Sequence, residues 1–218
     1  MQNRYFQEYL ESQKWEVVRK EYHEYLTYRG LLDSYVYVLK GGVIKTSVIL
    51  KDGREFNLAY VRPGEIISII NDETSNRTPA PFNIRVESEE AFLYRVNRVE
   101  FWRDVNRNLK LQSYVKNYYR ENQQAYMYKL QTMLMNGKKG ALCAVLCELA
   151  ELFGVASNEK ILIDFPITNE DIAGFCGISS RNSVNRMMRE LREADIIEIN
   201  NRKIVIKDLV YLKSRVAE

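Results

Sequence analysis

Apolar and polar positions along the chain fall into three textures. Residues 1–20 carry Tyr5, Phe6, Tyr9 and Leu10 at helical spacing, which predicts a short amphipathic helix. From about Tyr22 to Val96, short runs rich in Tyr, Val, Ile and Phe alternate with polar residues. This period predicts strands over Ser34–Lys40, Val43–Leu50, Glu55–Val61, Ile66–Ile70, Phe82–Val86 and Ala91–Val96. Gly41-Gly42, Asp52-Gly53 and Pro63-Gly64 punctuate them, and Asn71–Pro81 reads as a polar loop. Strands recurring every roughly 8–12 residues imply a β-sandwich or jelly roll.

The period becomes helical from Arg98. Leu111, Val115, Tyr118, Asn122, Tyr126, Leu130 and Met133 step by three or four residues, and Val99–Met135 contains neither proline nor glycine. Unbroken, such a helix would run roughly 50 Å at ~1.5 Å per residue. That is too long for one small domain to cover, so it is expected to bridge domains or pair with a second copy of itself. A break is allowed near Arg107–Leu109. Asn136-Gly137 ends the helix. The expected division is therefore a strand-rich domain over 1–97, a long helix over 98–136 and a third region over 137–218. That third region opens with a helix over Lys139–Phe153 and a short β or loop segment over Ile161–Phe165. Two short helices and a terminal hairpin follow.

Composition changes this picture by exclusion. The net charge of +3, from 32 Lys+Arg and 29 Asp+Glu, does not select a partner. The single histidine, His23, rules out multi-histidine metal sites. Cys143, Cys147 and Cys176 lack zinc-type spacing and point to a reducing compartment. No apolar run reaches the length of a membrane span and no leader-like segment opens the chain, so a cytoplasmic location is expected. The nucleotide-binding glycine motifs and the G-x-S-x-G elbow of hydrolases are absent, which argues against an enzyme.

The informative stretch is TNEDIAGFCGISSRNSVNRMMREL, from Thr168 to Leu191. Thr168 with Asp171 forms a capping-box signal. Ile172, Ala173, Phe175 and Cys176 give a short helix its apolar face, and Gly177 permits a tight turn. Ser179 or Ser180 can cap a second helix, on which Val184, Met187, Met188 and Leu191 make a buried stripe. The opposite face carries Asn182, Asn185, Arg186 and Arg189, with Arg181 in the first turn. This is the design of a helix-turn-helix whose second helix enters the major groove. Arginine suits guanine O6/N7, asparagine suits adenine N6/N7, and serine hydroxyls with helix-start N–H groups suit phosphate. Beyond it, Ile196–Ile199, Asn200-Asn201 and Lys203–Lys207 predict a hairpin, or wing, with Arg202 and Lys203 at its tip. Three arginines on one face would alone describe a solvated surface. It is the order of capped helix, glycine turn, polar helix and basic hairpin that points to double-stranded DNA. The competing reading is an effector-binding protein whose winged helix makes protein–protein contacts.

GISSRNSVNRMMREL also resembles the recognition element of the CRP/FNR transcription regulators. The strand-rich half, with DGRE at Asp52–Glu55 and PGE at Pro63–Glu65, resembles their cyclic-nucleotide-binding-type jelly roll, and the long helix their dimerisation helix. The segments Asn57–Tyr60 and Asn136–Gly140 look like those of the PrfA-type virulence regulators of Gram-positive bacteria. The resemblance implies an α+β chain made of a jelly-roll sensor domain, a dimerisation helix and a C-terminal winged helix-turn-helix. It implies a homodimer on a palindromic promoter site, working with RNA polymerase if it activates. It places Arg181 near the groove edge and Arg186 on bases or phosphate.

Departures from the family are as telling. Asn182 stands where many members carry glutamate, so a changed half-site preference is expected. Gly64-Glu65 of the nucleotide pocket is kept, but the arginine–serine pair that holds the cyclic phosphate aligns with Pro81-Phe82, and Arg77 lies four residues out of frame. Tight cyclic-nucleotide binding is therefore not expected. The cysteine cluster of iron–sulfur members is missing, and His23 alone does not suggest haem, so no cofactor is expected. The PrfA-type resemblance implies a small-molecule effector such as glutathione or a peptide, near Tyr60, Arg62, Gln123 and Tyr126, unless the protein is constitutively active. The competing role for Tyr60 and Tyr126 is core or interface packing. Cys143 and Cys147 are read as buried packing rather than a redox switch.

Overall fold

In the computed structural model, residues 2–67, 69, 75–157, 160–201 and 203–216 are described. The chain divides into two compact units, Met1–Gln123 and Gln124–Glu218. The division falls inside the long helix.

The first unit opens with α1 (Gln2–Ser12), whose Phe6 and Leu10 are fully buried. The helix expected over residues 1–20 ends at Ser12, and β1 (Glu16–Glu21) follows it. Tertiary pairing decides this: β1 runs antiparallel along β9 (Glu90–Asn97), with Glu16 opposite Arg95 and Glu21 opposite Glu90. The β-branched pair Val17-Val18 suits that extended edge better than a helix.

β4 (Tyr35–Gly41) lies on the other side of β9, giving the sheet order β1-β9-β4. The second sheet has the order β2-β8-β5-β6, from β2 (Tyr25–Thr27), β8 (Asn83–Val86), β5 (Ile44–Ile49) and β6 (Glu55–Val61). The short strands β3 (Leu32–Asp33) and β7 (Thr78–Pro79) pair separately, so the expected loop over Asn71–Pro81 contains a strand. Positions 71–74 of that loop lie outside the described residues. The strand expected over Ile66–Ile70 supplies one bridge, Ile66 to Val38, with Ser68 and Ile70 outside the described residues.

Leu39, Ala91 and Leu93 of the first sheet share a buried core with Ile44, Val61, Ile84 and Val86 of the second. Strand alternation turns Val36, Val38, Tyr94 and Val96 the other way. There they pack on α1, on α2 (Arg98–Arg107) and on the start of α3 (Leu109–Met135). This is the expected sandwich, with helices on one outer face.

The break between α2 and α3 falls at Asn108, which is extended (φ −130°, ψ 108°). Its Oδ1 accepts from the Lys110 and Leu111 backbone N–H groups, and its Nδ2 donates to the Tyr5 hydroxyl. An asparagine can cap the new helix while its own backbone leaves the old one.

The second unit holds the rest of α3, α4 (Gly137–Phe153), α5 (Asn169–Cys176), α6 (Arg181–Glu193) and α7 (Leu209–Ser214). Its sheet has the order β10-β11-β13-β12, from β10 (Gly154–Ser157), β11 (Lys160–Ile163), β13 (Lys203–Ile206) and β12 (Ile197–Asn200). α7 and β10 carry no strong period and were not expected from the sequence. Leu142, Cys143, Leu146 and Leu149 bury one face of α4. Lys129 of α3 reaches into this unit, its ammonium 4.9 Å from the Phe175 ring centroid and facing Glu148. Burial pushes the Lys129 ammonium pKa down and the Glu148 carboxyl pKa up.

Candidate nucleic-acid interface

The expected capping box is present. Thr168 Oγ1 accepts from the Asp171 N–H at 3.0 Å, and the Thr168 N–H donates to Asp171 Oδ2 at 3.3 Å. These bonds satisfy donors that the start of α5 would otherwise leave open. Gly177 ends α5 in the left-handed region (φ 64°, ψ 24°), where a side chain would be strained. The next residue, Ile178, donates its N–H to Ala173 O at 2.9 Å and is buried beneath the turn.

Val184, Met187, Met188 and Leu191 are all nearly or fully buried. They mount α6 on the unit and turn its other side outward. Arg181, Asn182, Asn185, Arg186 and Arg189 are exposed there, together with Ser179. Ser180 stands at the N-cap in extended backbone, and its hydroxyl makes no cap hydrogen bond. The first turn of α6 therefore keeps open donors at the end where anions are favoured. Arg181 and Arg186 make no ion pair among the described residues, whereas Arg189 lies 3.7 Å from Glu193.

The sequence reading missed two neighbours. Asn169, the first residue of α5, donates from Nδ2 to Asn185 Oδ1 at 2.7 Å. Arg192 extends the basic face by one turn. With Asn182, Asn185, Arg186 and Arg189 they line a hollow of about 450 Å³, floored by Met188 and closed by Ile199 of the wing. The helix-turn-helix geometry itself could have flagged Asn169, since the start of its first helix abuts the second.

The wing is β12 and β13, with Asn200 opposite Lys203 and Asn201 left-handed at φ 48°. Arg202 lies outside the described residues. Lys203 Nζ is held by Asp164, so its charge is met within the unit.

The residues expected to contact an effector fall in both units. Tyr60 is buried in β6 opposite Lys45. Arg62 is exposed and holds Glu65, with Nε 3.2 Å from Oε1 and its backbone N–H donating to Oε2 at 3.1 Å. Gln123 and Tyr126 are exposed one turn apart on α3. The three cysteines are free thiols. Burial pushes Cys143 up to about 11 and Cys176 up to about 12, and raises Cys147 as well.

Comparison with known proteins agrees with this geometry. Residues 140–215 match the Crp-like helix-turn-helix domain. The lactate racemization regulatory protein of Lactiplantibacillus plantarum is 54% identical over 213 residues, covering 98% of this chain and 96% of the relative. The chain belongs to the CRP/FNR family of transcription regulators. The listeriolysin regulatory protein of Listeria monocytogenes is 26% identical, over 95% of this chain and 88% of that protein. FixK2 from Bradyrhizobium japonicum shares the fold, with a TM-score of 0.80 at 14% identity, covering 94% of this chain and 99% of FixK2. This CRP/FNR regulator is thus a DNA-binding transcription regulator and not an enzyme. No helix among its described residues is long and apolar enough to cross a membrane.

Proposed function

We propose that this regulator binds a palindromic promoter site as a homodimer, with one α6 in each of two major-groove segments about one DNA turn (~34 Å) apart. The observation that carries this reading is the outward face of α6, where Arg181 and Arg186 make no ion pair among the described residues and stand beside Asn182 and Asn185. In this reading Arg186 and Asn182 meet bases, and Ser179, Ser180, Arg181, Arg189 and the wing residues Arg202 and Lys203 meet phosphates. Lys203 would exchange Asp164 for the DNA backbone.

Self-pairing of α3 is supported by its exposed apolar residues. Met127, Leu130 and Leu134 are 56%, 59% and 74% exposed and follow Gln123 at steps of four, three and four, the spacing of a coiled-coil seam. The high identity to the lactate racemization regulator makes promoters of lactate racemisation genes the first DNA to test. The effector, where one acts, is not a cyclic nucleotide. Glu65 is already engaged by Arg62, and Pro81 offers no charge to a phosphate.

The deciding experiment is a gel shift on such promoter fragments with a salt titration, alongside light scattering for subunit number. Specific, salt-dependent binding by a dimer is expected. A monomer, or binding that does not distinguish the promoter from scrambled DNA, refutes the reading of a dimer on that palindromic site; no DNA binding at all favours a winged helix used for protein contact.

A further inference from the structure

We infer that Asn169 is a positioning residue that fixes which edge of a base Asn185 can read; this rests on α6 being the DNA-reading helix. A free carboxamide can turn over, presenting an acceptor and a donor together, and so suits adenine. Asn185 is not free in that sense. Its Oδ1 is held at 2.7 Å by the Nδ2 of Asn169, which belongs to a different helix. Its own Nδ2 donates to no described residue, and the pair lines the hollow beside Arg186 and Asn182. The side chain therefore turns its N–H donors outward. Donors match base edges rich in acceptors, which are guanine O6 and N7 foremost and thymine O4 next. They are mismatched to cytosine, whose major-groove edge offers only the N4 amino donor. The contact spans 16 positions of sequence and is made before any DNA arrives. Its orientation thus costs no ordering on binding.

The test is binding-site selection with the full-length protein and two variants, with melting temperatures recorded alongside. The wild type is expected to disfavour cytosine at one half-site position by at least about fivefold, the lower end of what one well-placed base contact discriminates. Asn169→Ala frees the amide. It should flatten preference at that position only, with melting temperature and salt slope unchanged. Asn169→Asp replaces the donor by an acceptor, so the Asn185 amide turns over and its oxygen faces the groove. Preference should then move toward cytosine or adenine, while the added carboxylate weakens binding to every site. If the wild type selects a half-site and both variants keep every preference, this inference falls and the DNA-binding reading stands. If the wild type prefers no sequence, both fall.

Discussion

The outer face of the β2-β8-β5-β6 sheet and the exposed face of α6 use similar residue types and treat charge in opposite ways. On the sheet, Lys45 and Arg85 stand opposite each other on neighbouring strands. Lys45 Nζ lies 3.1 Å from Glu55 and 3.7 Å from Glu87, and Arg85 Nε lies 2.7 Å from Glu87. The Lys45 side chain is 0% exposed, so desolvation leaves it dependent on those carboxylates. On α6, Arg181 and Arg186 remain in water with no ion pair among the described residues. A cation met inside its own unit holds a fold together. A cation left unmet on a rigid helix remains available to phosphate or base. The total charge of +3 averages over both cases, and it is silent for that reason.

The largest expected effect tests the sheet. Lys45→Ala removes the partner of two carboxylates and should lower the unfolding free energy by about 3 kcal/mol, since Glu87 is itself buried. Urea unfolding of the variant measures this, and a loss below about 1 kcal/mol would erase the distinction between the two surfaces.

The cysteines extend the contrast. A thiol whose pKa is raised on folding keeps its proton where the unfolded thiol has lost it. The stability this contributes is complete below about 8.5 and is lost as pH rises toward the folded values of about 11 for Cys143 and about 12 for Cys176. At pH 8 these two thiols should react with a thiol reagent at least on the order of a hundredfold more slowly than in urea. Stopped-flow labelling decides it. Fast native labelling of all three would revive a redox role.

Next comes Arg186→Ala. It should cost roughly 1–3 kcal/mol of specific DNA affinity, yet shift unfolding by no more than about 0.5 kcal/mol. Arg181→Ala should act more weakly, reducing the salt slope by about one if it meets a phosphate. An equal stability loss in either variant would put these arginines in the same class as Lys45. The smallest effect is expected from cyclic AMP or cyclic GMP. Calorimetry should detect no micromolar binding, and a clear isotherm would show that Glu65 exchanges Arg62 for ribose.

Much of the recognition unit was legible residue by residue. Thr168, Asp171, Gly177 and the Val184–Leu191 stripe are local signals, and each depends on neighbours within a few positions. The break at Asn108 was foreseen only as a place where one was allowed: its cap on Lys110 and Leu111 is local, but the Tyr5 hydroxyl that holds its amide is far away in sequence. The end of α1 at Ser12 was missed, since β1 exists only by pairing with β9.

Period, caps and turn residues act over a few positions, and so the order of elements, the buried stripe of α6 and the outward Arg–Asn face follow from the amino-acid order alone. Long-range contacts cost chain entropy that no local pattern records, and they were settled only when the chain closed on itself. Lys45 buried against Glu55 and Glu87, Lys203 drawn to Asp164 and Asn169 holding Asn185 are of this second kind. Every polar group among them has more than one possible partner in the sequence. Distance in the folded chain chooses between them.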